Sequence, residues 1–265
     1  YNIKLLHTLL QDAKISSVIF DWNSEFPEKV APDMAAQKIL TYSPQIVAFS
    51  TITCNFLDSL IISREIKRLS PQILVLFGGP QASIVADKLI SRFSWIDAVS
   101  IGESETKIVT LVQGLLSGDY EILSHINGLA FRRDGQATAD YSCDTFTDLN
   151  SLPRIDYSDN LAGPNPSVYV ETARGCYSRC TYCSTSRYWA NNSVRYRTPS
   201  QVIRQISELL GEKSLRRGAI FWLTHDNFTQ NQKWLAEFLD KAIVLKQKFP
   251  DFSWACSSRP DVLHT

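Results

Sequence analysis

Short apolar, β-branched runs alternate with amphipathic stretches along the first 118 residues. The runs are ISSVIF at 15–20, IVAFSTI at 46–52, ILVLFGG at 73–79 and AVSIG at 98–102. Between two of them, residues 55–69 set Phe56, Ile62, Ile66 and Leu69 on one broad face and leave Arg64 and Arg68 off it, the period of a helix. Strands alternating with helices predict βαβ units and a parallel sheet. The helical pattern starts almost at Tyr1, so a preceding strand is expected to lie ahead of this chain.

Residues 119–166 break the rhythm. INGLAFRRDGQA predicts a hairpin with Asp134-Gly135 at its turn, and SLPRIDYSDNLAGPNP is a proline-bearing linker. From Ser167 the alternation resumes with a strand at 168–173 and a cysteine-rich loop. A helix follows, opened by Thr198-Pro199-Ser200-Gln201, which has the form of a capping box with proline in the first turn. AIFWLT at 219–224 predicts a strand. Residues 232–248 predict a helix with Trp234, Leu235, Phe238, Leu239, Ala242 and Leu245 on one stripe, and FSWACSS begins a third strand. Three strands and two helices cannot close a barrel, so this half reads as the start of a longer βα array. The expected division is an α/β domain at 1–118, a hairpin and linker at 119–166, and the second array at 167–265.

Charge narrows the partners. Lys plus Arg and Asp plus Glu both number 27, which leaves no net field to attract a polyanion and argues against nucleic acid. The pairs Arg132-Arg133 and Arg216-Arg217 read as solvated surface. No apolar run approaches the roughly 18 residues of a membrane span, and no signal peptide is visible. A soluble, cytoplasmic protein without a membrane partner is the expectation. Cys54, Cys143 and Cys256 are scattered, which suits a reducing compartment better than a disulfide scaffold.

The other three cysteines are not scattered. Cys176, Cys180 and Cys183 fall within eight positions as C-x3-C-x2-C. Structural zinc takes four ligands, commonly as two close pairs, and no second pair is present; the four histidines, His7, His125, His225 and His264, show no partner spacing. A disulfide would strand one thiol, and ferredoxin clusters use four cysteines. A [4Fe-4S] cluster on three thiolates leaves one iron open to a substrate or cofactor, as an open zinc site does. A zinc site or a chance cluster of cysteines remains the plain alternative.

The spacing, the aromatic Tyr182 before the third cysteine, the preceding Arg174-Gly175 and the position after a first strand together resemble the radical S-adenosylmethionine superfamily. The resemblance implies that the open iron chelates S-adenosylmethionine, and that reduction of the cluster yields a 5′-deoxyadenosyl radical. Tyr182 would then belong to the cofactor site. Asp226, in Thr224-His225-Asp226, stands where the family contacts the methionine amino group, although the usual glycines are missing; a helix N-cap is its ordinary alternative. His225 reads as structural before it reads as an acid or base. Arg259, at the end of the third strand, is placed to reach a carboxylate or ribose, or is a surface arginine.

The first domain resembles the cobalamin-binding domain found before such cores. Ser50-Thr51-Ile52 stands in place of an S-x-L motif, Gly78-Gly79-Pro80 in place of a GG motif, and Gly102-Glu103-Ser104-Glu105 in place of GExE. All end strands, where open α/β sheets bind ligands. The resemblance therefore implies an α/β fold class: a doubly wound parallel sheet, then the start of a partial (βα)6 barrel, truncated here. Ser50, Ile52, Gly78, Gly79, Pro80, Gly102 and Glu103 would line the cobalamin site. Two departures stand out: the cobalt-ligating D-x-H-x-x-G motif is absent, and Gln81 occupies a position where histidine is frequent.

Cobalamin-dependent methylation of an unactivated carbon leads the functions this implies. Cobalamin-independent cyclisation, epimerisation or cross-linking, including of peptides, is the second. A methylthiotransferase would need extra cluster cysteines in the first domain, where only Cys54 occurs. An inactive α/β interaction module is the non-enzyme reading. The implied partners are a small-molecule or peptide substrate and an external electron donor of the flavodoxin or ferredoxin type. Tyr188, Trp189, Trp222 and Trp254 suit an apolar pocket or ordinary core packing alike.

Overall fold

The computed structural model describes residues 2–25, 30–133, 135–146, 148–155, 157, 167–189, 194–212 and 219–262. Asp134 of the Asp-Gly turn, linker residues 158–166, Arg216-Arg217 and His264 lie outside the described residues. The chain divides into two compact units, Leu9–Phe146 and Tyr1–Thr8 together with Thr147–Thr265.

Helix α1 is Asn2–Asp12, followed by the single turn α2 (Trp22–Glu25) and by α3 (Pro32–Leu40). Strands β1 (Ile46–Ser50), β2 (Leu74–Gly78) and β3 (Ala98–Ser100) then alternate with α4 (Phe56–Leu69), α5 (Gly79–Ile84) and α6 (Ala86–Arg92). Helices α7 (Ile108–Ser117) and α8 (Tyr120–Ser124) precede the hairpin β4 (Leu129–Arg133) and β5 (Gln136–Ala139). The parallel register pairs Ile46 with Leu74 and Ser50 with Gly78, then Phe77 with Val99. Val75, Leu76 and Phe77 are all buried, the continuous apolar run of a strand covered on both faces. One core gathers Val75, Phe77, Leu89, Ile96 and Val99, and another gathers Ala36, Ile39, Ile62 and Ile66. Phe49 packs against both, its ring stacked on Phe77 at 5.1 Å.

Two expectations need correction here. The first sheet is mixed, not parallel throughout: β4 pairs antiparallel with β3, setting Val99 opposite Ala130, so the order is β1-β2-β3-β4-β5. The hairpin continues the sheet because Leu129, Ala130 and Phe131 can be buried beside β3. The run at 15–20 is not a strand. Lys14 takes a positive φ of 60°, Ile15 N–H turns back to the Leu10 carbonyl, and Gln11 Nε2 donates to the Ser17 carbonyl at 3.2 Å. These contacts with the end of α1 use backbone groups a ladder would need, while Phe20 finds cover against the α3–α4 core.

The second unit holds a parallel sheet of order β10-β9-β6, formed by β6 (Ser167–Glu171), β9 (Ile220–Thr224) and β10 (Ser253–Cys256). A short antiparallel pair, β7 (Ala173–Arg174) and β8 (Arg195–Tyr196), flanks the cysteine loop, with the turn α9 (Thr185–Tyr188) between them. Val168, Val170, Phe221 and Leu223 alternate onto the buried face. Helix α10 (Pro199–Leu210) buries Val202, Ile206 and Leu209, and α11 (Gln232–Lys248) buries Trp234, Phe238, Ala242 and Leu245. The capping box forms as expected at its first half, with Thr198 Oγ1 accepting from Gln201 N–H at 3.3 Å. Trp234 and Phe238 stack on one turn of α11, and Phe228 and Trp254 close around them. The opposite sheet face presents Tyr169, Ile220 and Trp222 to solvent. Among the described residues no helix is long and apolar enough to cross a membrane.

Candidate functional site

The cysteine loop leaves the carboxyl end of β6 through a buried charge cluster. Glu171 takes a bidentate bond from Arg174, at 2.9 and 3.1 Å, with both side chains almost wholly buried. Such a pair is strong where geometry is good and costly to break. Arg174 also lies over the Trp189 ring at 5.4 Å, and Arg197 donates to the Glu171 carbonyl at 3.3 Å. Gly175 then adopts φ +97°, a conformation L side chains rarely take, and turns the chain so that Cys176 is buried.

The rest of the loop is held from far away in sequence. Gln230 accepts Tyr177 N–H at 3.2 Å, and its amide lies 2.8 Å from His225 Nε2. His225 Nε2 also lies 3.2 Å from the Gly175 carbonyl, with the Tyr196 ring edge-on at 5.4 Å. Burial pushes the His225 pKa down to about 4, so the ring is neutral near pH 7, a brace and not a charge. Burial likewise pushes the Tyr196 hydroxyl up to about 12.

Two of the three sulfurs meet hydrogen-bond donors. Ser178 N–H donates to Cys176 Sγ at 3.4 Å, and Arg259 Nη1 donates to Cys180 Sγ at 2.9 Å. Cys183 N–H closes a turn onto the Cys180 carbonyl at 3.1 Å. Donors aimed at sulfur suit the electron-rich thiolates that ligate iron. Among the described residues no three His, Cys, Asp or Glu side chains gather around one point.

Tyr182 is 90% exposed at the tip of this loop. Asp226 stands just past β9, exposed to solvent on one side, and partial desolvation by the surrounding chain raises its carboxyl pKa against the bond from Thr185 Oγ1 at 3.4 Å. It does not cap α11: Asn231 does, accepting Trp234 N–H at 3.0 Å. Arg259 is brought to the cysteines, its Nε and Nη2 held by Asp261 at 2.9 and 2.7 Å. Trp189 lies under arginines and Trp254 in the aromatic core, whereas Trp222 is partly open on the free sheet face. Gln230, Asn227 and Asp261 were not singled out from sequence; Gln230 and Asn227 act across a separation with no periodic signal. The short interval Arg259-Pro260-Asp261 was the one local clue.

At the carboxyl end of the first sheet, Ser50 and Ile52 are exposed, and Gly78, Gly79 and Pro80 are half-buried between β2 and α5. Buried Thr51 organises the corner: its hydroxyl donates to the Gly78 carbonyl at 2.8 Å and accepts Ala82 N–H at 3.1 Å. Gly79 has φ +89°, and a Cβ there would lie 2.6 Å from the Thr51 carbonyl oxygen, so this glycine serves the chain's own close approach. Gly78 differs, because a Cβ there meets only Ser100 at 3.8 Å. Exposed Ser50 and Ile52 stand at the same carboxyl end of the sheet.

Gly102 donates its N–H to Ser83 Oγ at 3.0 Å with φ +73°. Buried Glu103 accepts Phe146 N–H at 3.0 Å and so ties down the chain returning from the hairpin. Lys107, also missed from sequence, is buried and donates to the carbonyls of Ile101, Asn127 and Gly128 at 2.7–3.0 Å.

The chain thus joins an open α/β sheet with glycines at its strand ends to a second sheet followed by a three-cysteine loop. The B12 binding domain family matches residues 1–112. An uncharacterized methyltransferase of Pyrococcus horikoshii is 27% identical, covering 98% of this chain and 52% of its own length. The anaerobic magnesium-protoporphyrin IX monomethyl ester cyclase of Cereibacter sphaeroides is 26% identical, covering 87% of this chain and 38% of the relative. A cobalamin-dependent radical SAM methyltransferase of Streptomyces tokunonensis is 24% identical over 53% of this chain and 22% of its own. These matches support a radical S-adenosylmethionine enzyme that carries a B12-binding domain. It spans about half the length, 52%, of the Pyrococcus relative and less of the other two.

Proposed function

We propose that this chain supplies the corrinoid-binding domain and the cluster-binding part of an enzyme that methylates an unactivated carbon. The observation that carries the reading is the cysteine loop at the end of β6, with donors on Cys176 and Cys180 sulfur. When bound, a [4Fe-4S] cluster with S-adenosylmethionine would supply radical chemistry and cobalamin a transferable methyl group. Cys176, Cys180 and Cys183 would hold the cluster. The Gln230–His225 brace fixes the loop, and the buried Glu171–Arg174 pair sets its starting direction.

Asp226 and Tyr182 would contact S-adenosylmethionine. Ser50, Ile52, Gly78 and Pro80 would line the corrinoid tail, while Gly79, Gly102 and Glu103 shape that rim from within. The three-stranded sheet would form part of a (βα)6 barrel, with the open face bearing Tyr169 and Trp222 turned to its interior. The substrate would be a small molecule or peptide, and a flavodoxin or ferredoxin type of donor would bring the electron.

The test is a reconstituted, oxygen-free preparation of the full-length protein given hydroxocobalamin, S-adenosylmethionine and a strong low-potential reductant, which supplies the electrons for cobalt and cluster reduction. Bound corrinoid with both 5′-deoxyadenosine and S-adenosylhomocysteine as products is expected. Deoxyadenosine alone, without corrinoid, would favour the second reading, a radical cyclisation, which the name of the Cereibacter relative also supports. Neither product would overturn both.

A further inference from the structure

We propose that Arg259, anchored by Asp261, sets how readily the cluster is reduced; this rests on reading the cysteine loop as cluster-binding. A guanidinium has five N–H donors in a planar fork. Here Nε and Nη2 are taken by the two oxygens of Asp261 at 2.9 and 2.7 Å, and Nη1 is left directed at Cys180 Sγ at 2.9 Å. Three of its five N–H groups are therefore committed, one of them to sulfur.

Its backbone is fixed as well. Arg259 N–H donates to Oδ1 of Asn227 at 3.3 Å, and Asn227 is 2% exposed. Ser258, one residue earlier, donates to the same oxygen at 3.5 Å and pairs with Thr229. A buried asparagine beyond β9 thus positions, from the end of β10, a charge against a sulfur 79 residues earlier.

Hydrogen bonds to ligating sulfur are one of the factors that set an iron–sulfur potential. A cationic donor withdraws electron density from the thiolate and favours the reduced, more negative cluster. Ser178 N–H does the same for Cys176 with a neutral donor from the backbone. Of the two, only the Arg259 contact can be removed by a side-chain change. The Arg259–Asp261 pair is largely open to solvent, at 39% and 57% side-chain exposure, so it contributes little to folding. Arg259 is therefore a positioning residue that acts through Cys180.

The experiment is an EPR-monitored redox titration of the full-length, reconstituted protein, with iron per chain measured on each sample. Arg259→Gln is expected to keep its iron and lower the equilibrium constant for one-electron reduction about tenfold, a midpoint about 59 mV more negative. Arg259→Lys, whose single ammonium cannot hold Asp261 and reach Cys180 together, should shift the same way by less. Lys233→Gln, which removes an exposed charge on α11, should leave the midpoint in place. Should the glutamine variant lose its iron, the lysine variant carries the test alone. Wild-type midpoints in the iron-loaded Arg259 variants would overturn the inference and leave the cluster intact. No iron in the wild-type chain would overturn the cluster reading and the inference with it.

Discussion

Two loops at the carboxyl ends of parallel strands are built in different ways. The corner between β1 and α5 is made by its own backbone: Thr51, Gly78 and Gly79 bond or touch one another across adjacent strands. The cysteine loop after β6 is held by side chains from distant segments, namely Gln230, His225 and Arg259. The first is rigid because a glycine lets two backbones meet. The second owes its shape to supports that can be removed one at a time, so its geometry can be altered without unfolding the sheet.

The largest effect should come from Gly79→Ala. The new Cβ must occupy space 2.6 Å from the Thr51 carbonyl oxygen, on a residue at φ +89°. Urea unfolding should report a loss above about 3 kcal/mol, the scale of combined strain and overpacking. If Gly79→Ala were neutral, the backbone account of this corner would fail.

Acid should act on the other loop. His225 is held neutral, with a pKa of about 4 against an ordinary 6.5. Between those values the unfolded chain binds the extra proton, so stability rises with pH and is lost as pH falls from about 6.5 toward 4. The full loss is about 3 kcal/mol at one pKa unit per 1.36 kcal/mol. Urea midpoints of cluster-free protein across that window should show it, and His225→Gln should remove that part of the slope.

Gln230→Leu sharpens the contrast at smaller cost. It strips the acceptor from Tyr177 N–H and the neighbour from His225, worth about 1–2 kcal/mol. Amide exchange should quicken in the cysteine loop and stay unchanged at the Thr51 corner. Gly78→Ala should be the mildest, within about 1 kcal/mol, because its Cβ meets only Ser100 at 3.8 Å. If Gly78 lines the corrinoid tail as proposed, the same variant should weaken corrinoid binding, which would separate the two glycines of one motif by role.

This contrast also explains what could be read from the chain. Strands β1, β2 and β9 and helices α4 and α11 follow apolar periodicity, and they formed where the pattern placed them. Residues 15–20 carried the same β-branched signal without forming a strand, since pattern reports burial and not whether a ladder partner exists. The hairpin was legible as a hairpin, but its addition to the first sheet depends on β3 leaving an edge for Leu129–Phe131 to cover. At the site, the cysteine spacing was visible because three cysteines fall within eight positions. The supports were not: Asn227 and Gln230 are ordinary polar residues whose partners lie across the fold, and Asp261 matters only because its neighbour Arg259 reaches Cys180.

The central claim is that Cys176, Cys180 and Cys183 bind a [4Fe-4S] cluster, and iron content with EPR of oxygen-free, reconstituted protein tests it most directly. The account predicts about four irons per chain and a reduced-cluster signal. Alanine at any of these three positions should abolish the signal, and alanine at Cys54, Cys143 or Cys256 should preserve it. One zinc per chain, or full iron content in the variant lacking all three loop cysteines, would contradict it.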